Sequence, residues 1–198
     1  MKSTVIVLGA TGMLGSMVLD VLSREPSLSL AATVRRSDQA EKLNRRLPGV
    51  EVKLLDAFND QSRDIADVID GNSWVVNAIG TIKPYIHDDN ATEVEAAILV
   101  NALFPHKLAA AAEKVGASVL QIATDCVYAG DQGHYPEGAP HDPVDVYGKT
   151  KSLGEVCSKQ VHHLRCSIVG PEPKADTSLL GWFLGQPSGS RNNGYTNH

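Results

Sequence analysis

A glycine turn between an apolar run and a helical pattern constrains this chain more than any other feature. Thr4–Leu8 is short, apolar and β-branched, which reads as a strand. Gly9-Ala10-Thr11-Gly12-Met13-Leu14-Gly15 follows directly and opens a helical pattern over Gly12–Arg24. Gly9 can make the tight turn, and Gly12 leaves no Cβ where a pyrophosphate would approach the backbone. Gly15 lets the helix pack close to the strand. Thr11, Met13 and Leu14 complete the turn, at a helix N-terminus whose free N–H groups and dipole favour phosphate. The spacing is Gly-x-x-Gly-x-x-Gly, which also fits an ordinary tight βα turn. Its place, between the first strand and the first helix, favours a dinucleotide site.

Strand and helix patterns alternate beyond it. Ser29–Val34, Val50–Leu54, Trp74–Ala78, Ser118–Ala123 and His163–Ser167 read as further strands. Ser37–Leu47, Gln61–Ile69, Glu93–Val115 (bent at Pro105) and Tyr147–Gln160 read as helices. This alternation predicts an α/β fold: a doubly wound, Rossmann-type parallel sheet with helices on both faces. After Gly170 the pattern breaks at Pro171, Pro173 and Pro187, and only Thr177–Leu184 looks helical. The ending Gly185–His198 is rich in Gly, Ser and Asn and reads as a loop or disordered tail.

The net charge of −5 gives no reason to expect a nucleic-acid or anionic-membrane surface. The first apolar run is too short for a membrane span and lacks the features of a secretory signal. Cys126, Cys157 and Cys166 are odd in number and unpaired in spacing, so neither a disulfide framework nor a metal site is expected. A reducing, cytoplasmic compartment fits them best. Asn90-Ala91-Thr92 matches a glycosylation sequon, which without a secretory signal reads as chance.

Strand two ends in Arg35-Arg36 with no acidic residue. A carboxylate at that place holds a ribose 2′-hydroxyl, whereas a guanidinium fork suits a 2′-phosphate, so NADP(H) is expected over NAD(H). Asp56, with Ala57 beside it at the end of strand three, either accepts from an adenine amino group or caps the next helix. Tyr147 and Lys151 are four residues apart and share one helix face. An ammonium near a phenol favours the phenolate, drawing a pKa of about 10 toward the working pH. Lys151 can also hold the nicotinamide ribose. Thr124, at the end of strand five, lies at the carboxyl edge of the sheet and can bond a substrate carbonyl beside Tyr147; otherwise it stabilises a local turn.

Together the glycine turn, this Thr and the Tyr-x-x-x-Lys helix resemble the extended short-chain dehydrogenase/reductase superfamily. Ala123-Thr124-Asp125-Cys126-Val127-Tyr128-Ala129-Gly130 and Tyr147-Gly148-Lys149-Thr150-Lys151-Ser152-Leu153-Gly154-Glu155 are similar to its dTDP-4-dehydrorhamnose reductase branch. Val100-Asn101-Ala102, Asn77-Ala78-Ile79-Gly80 and Leu164-Arg165-Cys166-Ser167-Ile168-Val169-Gly170 match further segments of that branch. The resemblance implies hydride transfer between NADPH and C4 of a nucleotide-linked keto sugar. Tyr147 would give the proton, Thr124 would polarise the carbonyl and Lys151 would tune Tyr147. Ala78, Ile79, Gly80 and Asn101 would line the cofactor. It also implies a cofactor-binding and catalytic domain over 1–170 and a substrate-binding region of which 171–198 is the start, cut short at His198.

Other readings share the scaffold. A dehydratase commonly has acidic residues beside the catalytic Thr; here Cys126, not Glu, follows Asp125, which favours reduction over dehydration or epimerisation. The regulatory subunit of methionine adenosyltransferase resembles the same branch and is a binding partner; loss of the Tyr or Lys would have favoured it. The helices over Glu93–Val115 and Tyr147–Gln160 are candidate surfaces for a homodimer.

Overall fold

The computed structural model describes residues 2–170 and 179–189. The strands are β1 (Ser3–Leu8), β2 (Leu28–Val34), β3 (Glu51–Leu54), β4 (Trp74–Asn77), β5 (Ser118–Ala123) and β6 (Val161–Arg165). They form one parallel sheet in the order β3-β2-β1-β4-β5-β6. The helices are α1 (Met13–Leu22), α2 (Ser37–Arg46), α3 (Ser62–Ile69), α4 (Ala91–Ala97), α5 (Phe104–Val115), α6 (Val146–Leu153) and α7 (Leu179–Leu184).

The period-2 geometry of β1 divides the core. Ile6 and Leu8 face one side, where Ile65 and Ile69 of α3 and Phe104, Leu108 and Ala112 of α5 bury them. Val5 and Val7 face the other side, against Leu19 of α1 and Leu43 of α2. Each fully buried Leu, Ile or Phe stabilises the fold by roughly 1.5–3 kcal/mol. Because the strand order reverses between β1 and β4, a crevice opens beyond their carboxyl ends.

The expected helix at Glu93–Val115 begins earlier, at Ala91, where the Asn90 side chain accepts from the N–H groups of Thr92 and Glu93. Asn90 is therefore a helix cap. The expected bend takes the form of a π-helical stretch, Ile98–Leu103, in which Phe104 N–H reaches back five residues to the Leu99 carbonyl. Pro105 has no N–H to offer the preceding turn, and the wider register places it in the first turn of α5, where none is needed. Ala91–Val115 is long and apolar enough to span a membrane by length and composition alone. Its apolar residues Val100, Phe104, Leu108 and Ala112 are buried in the protein itself.

Two expected boundaries are corrected. The helix read as Tyr147–Gln160 stops at Leu153. Gly154 packs directly on the Asn101 carbonyl, and Glu155 turns away to pair with Arg165. The strand read as His163–Ser167 is Val161–Arg165, anchored by Val161 opposite Val119 in the core. Of the expected helix Thr177–Leu184, Leu179–Leu184 is helical; residues 177 and 178, like Pro171 and Pro173, lie outside the described residues.

Candidate active site

The glycine turn sits at the crevice. Gly9 adopts φ +78°, a left-handed conformation that a side chain disfavours, and its N–H donates to Thr33 Oγ1 at 3.2 Å. Ala10 N–H donates to the Thr33 carbonyl at 3.0 Å, so the buried Thr33 ties the turn to β2. A Cβ on Gly15 would collide with the Gly9 carbonyl. A Cβ on Gly12 would meet only the Gly9 carbonyl oxygen, at 3.4 Å, and otherwise open space. Gly12 caps α1 and offers no side chain to its free N–H groups.

A cleft of about 240 Å³ opens beside this turn. Gly9, Thr11, Gly12, Arg35, Asp56, Ala57, Ala78, Ile79 and Gly80 line it, as do Thr33, Leu55, Phe58 and Val100. Met13, Leu14 and Gly15 belong to the start of α1 behind the turn. The two arginines part company: Arg35 lines the cleft, while Arg36 lies in a groove with Thr11, Lys42 and Arg46. There Arg36 makes a two-pronged contact with Asp38, at 2.8 and 3.1 Å. Asp56 accepts from Phe58 N–H on one oxygen and from Asn59 Nδ2 on the other, which leaves each oxygen a further acceptor site at the cleft; Gln61, not Asp56, caps α3.

At the next strand ends, Thr124 is buried and starts a short 3₁₀ turn, accepting from Cys126 N–H at 3.2 Å. Tyr147 stands on the first turn of α6, whose N-cap Asp145 accepts from Gly148 N–H at 2.8 Å and pairs with Lys83 at 2.6 Å. Gly148 lies against the Cys126 carbonyl, which a side chain would strike, so α6 can approach the Thr124 turn closely. Burial pushes the Tyr147 phenol above its usual pKa; a bond with Thr124 opposes this and the carboxylates of Asp125 and Asp145 add to it. The expected lowering of that pKa by Lys151 is not what the structure has. The Lys151 ammonium donates to the Ile122 carbonyl at 2.9 Å, and burial lowers its own pKa. It also lies near Gly80 of the cleft wall.

A family model described as the RmlD substrate binding domain matches residues 1–169. The chain belongs to this family. It is 30% identical over 157 residues to the dTDP-4-dehydrorhamnose reductase of Mycobacterium tuberculosis, covering 76% of this chain and 43% of that protein. The dTDP-4-dehydrorhamnose reductase of Bacillus anthracis, solved in complex with NADP, superposes with a TM-score of 0.55 at 25% identity, over 78% of this chain and 48% of that one. A UDP-glucuronic acid 4-epimerase from Bacillus cereus, solved with UDP-glucuronic acid and NAD, gives a TM-score of 0.64 at 17% identity, over 77% and 50% of the two chains. That last likeness is one of fold alone. This chain spans less than half the length of the curated relatives it matches.

In this member of the RmlD family Asn101 holds a place the sequence did not reveal. It is 2% exposed; its amide accepts from Thr81 N–H and donates to the Thr81 carbonyl, both at 2.9 Å, and also reaches Thr150. It braces the loop after β4 against α6, with its Oδ1 beside Gly80 of the cleft wall. Thr33, Gly148 and Phe58 were missed as well. Thr33 and Gly148 act through backbone proximity across chain separations that no local pattern encodes. A second cavity of about 760 Å³ lies past the ends of β5 and β6, between Asp125, Cys126, Tyr128, Tyr135, His163 and Arg165.

Proposed function

We propose that this chain is the cofactor-binding and catalytic part of a reductase. It transfers hydride from NADPH to the C4 carbonyl of a nucleotide-linked 4-keto sugar. The observation that carries this reading is that Thr124, just past β5, bonds Tyr147 of α6, while Lys151 on the same helix sets its ammonium beside Gly80 of the glycine-turn cleft. The cleft fits a dinucleotide: Gly12 leaves open space in front of uncapped N–H groups, and Arg35 stands at the rim. Arg35 at the cleft rim, with no acidic residue ending β2, favours NADP(H), and Arg36 would join it on leaving Asp38. The NADP complex of the Bacillus anthracis relative agrees with this choice.

NADPH, when bound, supplies the hydride. The chain's own residues supply the rest. Tyr147 is the proton donor to the oxygen of the carbonyl being reduced; burial raises its pKa in the chain without cofactor, which opposes this role, and its hydrogen bond with Thr124 acts in the favourable sense. Thr124 faces Tyr147 and can donate to the same oxygen. Lys151 holds an ammonium at the cleft wall, where it can bond ribose hydroxyls. The larger cavity adjoins Asp125 and Cys126 and is the natural place for the sugar nucleotide. Three free thiols accord with a reducing, cytoplasmic setting. The test is NADPH oxidation with a dTDP-4-keto-6-deoxy sugar. Turnover supports the proposal; NADPH binding without turnover toward any keto sugar favours a binding subunit instead.

A further inference from the structure

The first turn of α2 holds an anion of its own against the cations beside the glycine turn. Arg36 Nε donates to Asp38 Oδ1 at 2.8 Å and Nη2 donates to Oδ2 at 3.1 Å, so both carboxylate oxygens meet one edge of the guanidinium. A guanidinium takes two oxygens of a phosphate in the same forked manner. The pair lies in a groove of about 300 Å³ that Lys42 and Arg46 also line. Thr11 and Gln39 line this groove and the cofactor cleft alike, so the two adjoin. Gln39 Oε1 accepts from Arg36 N–H at 3.1 Å, which ties the Arg36 backbone to that shared wall.

Among the described residues Asp38 is the one carboxylate lining the groove, against Arg36, Lys42 and Arg46. Arg46 pairs with Asp20 at 3.2 Å, whereas Lys42 has no ion pair among the described residues. The bond from Arg36, with Lys42 acting in the same sense, holds the Asp38 carboxyl below its usual range and keeps it ionised at neutral pH. Asp38 thus occupies a place suited to an anion. The two side chains are 58% and 52% exposed, and a pair so exposed is held weakly and exchanges readily for another anion. The arginines that end β2 are therefore unequal. Arg35 stands in the cleft with no ion pair among the described residues, while Arg36 must first give up Asp38.

We propose that Asp38 is a specificity-determining residue: it competes with the 2′-phosphate of NADP(H) for Arg36 and so limits the preference for NADP(H) over NAD(H). This rests on the reading of the glycine-turn cleft as an NADP(H) site. A phosphate monoester carries about 1.5 to 2 negative charges at pH 7 and displaces the single charge of Asp38. NADH brings no such group and leaves the Arg36–Asp38 pair as it is.

The test is calorimetric titration of the full chain with NADPH and with NADH at one low salt concentration. Asp38→Asn keeps the shape of the side chain and removes its charge, at an exposed position where the fold is not at stake. The ratio of NADPH to NADH affinity should rise roughly two- to fivefold, the worth of releasing an exposed ion pair. In an Arg36→Gln background the same change should lose most of this gain, because no guanidinium remains to be released. Glu41→Gln makes the same change in net charge on the same helix, at a side chain paired with Arg45 outside the groove, and should leave the ratio at the parent's value. An unmoved ratio in Asp38→Asn, or an equal rise in Glu41→Gln, would overturn the proposal. So would a ratio that rises only because NADH binds less well, which would make Asp38 a partner of NADH. A parent that binds neither dinucleotide sinks the cofactor reading itself; a parent that binds NADPH, with the ratio unmoved in Asp38→Asn, sinks this inference alone.

Discussion

At the level of single residues, two glycines of one motif have different tasks. Gly15→Ala drives a methyl group into the Gly9 carbonyl and should cost about 1–3 kcal/mol of stability in urea denaturation, as overpacking does. Gly12→Val meets open space, so the fold should survive while calorimetry shows NADPH binding lost. A Gly12→Val protein that binds NADPH normally would make the turn structural only. The close approach at Gly15 could be read from the sequence, because it follows from spacing along a strand–turn–helix unit. The roles of Asp56 and Asn101 could not. A sequence displays a polar side chain but not which partners within the protein it already bonds, and both have such partners. The arginines are a middle case. Replacing Arg35 and Arg36 together with Ala should weaken NADPH roughly ten- to a hundredfold, the worth of one or two charge-assisted bonds, and NADH far less. Equal losses would remove the argument for a 2′-phosphate site.

Among the elements, strand–helix alternation was legible and the ends of α6 and β6 were not. Periodicity continues through Ser152–Gln160, but Gly154 must lie against the Asn101 carbonyl and Glu155 must reach Arg165. These are contacts across more than fifty residues in one case and ten in the other, which a local pattern does not carry. Gly154→Ala should therefore destabilise the fold by about 1–3 kcal/mol, measured by chemical denaturation. The two carboxylates at the ends of α6 make a pH-dependent contribution. Burial pushes Asp145 and Glu155 up, but Lys83 with the Gly148 N–H, and Arg165, leave both below the ordinary values of 3.8 and 4.5. A lowered carboxylate contributes stability that is present above its unfolded pKa and lost as pH falls through the folded one. The urea midpoint should fall on acidification below about pH 4.5, and Asp145→Asn should make that decline shallower. An identical pH profile in the variant would remove Asp145 from the account.

For the whole molecule, sheet order explains why the site lies where it does. The reversal between β1 and β4 opens the cleft beside the glycine turn, and the Lys151 ammonium of α6 reaches its wall at Gly80. The fold class was visible in the sequence, since strand and helix patterns alternate along the chain. The raised pKa of Tyr147 was not, because burial is a property of the assembled chain. The central claim is that this buried phenol is the proton donor of a reductase, and Tyr147→Phe tests it most directly. The change removes one oxygen and keeps the ring. NADPH affinity should stay near the parent's, and the turnover of a dTDP-4-keto-6-deoxy sugar should fall by roughly 10²–10⁴-fold, the contribution of a positioned general acid. A Tyr147→Phe protein that turns over at the parent's rate would contradict it.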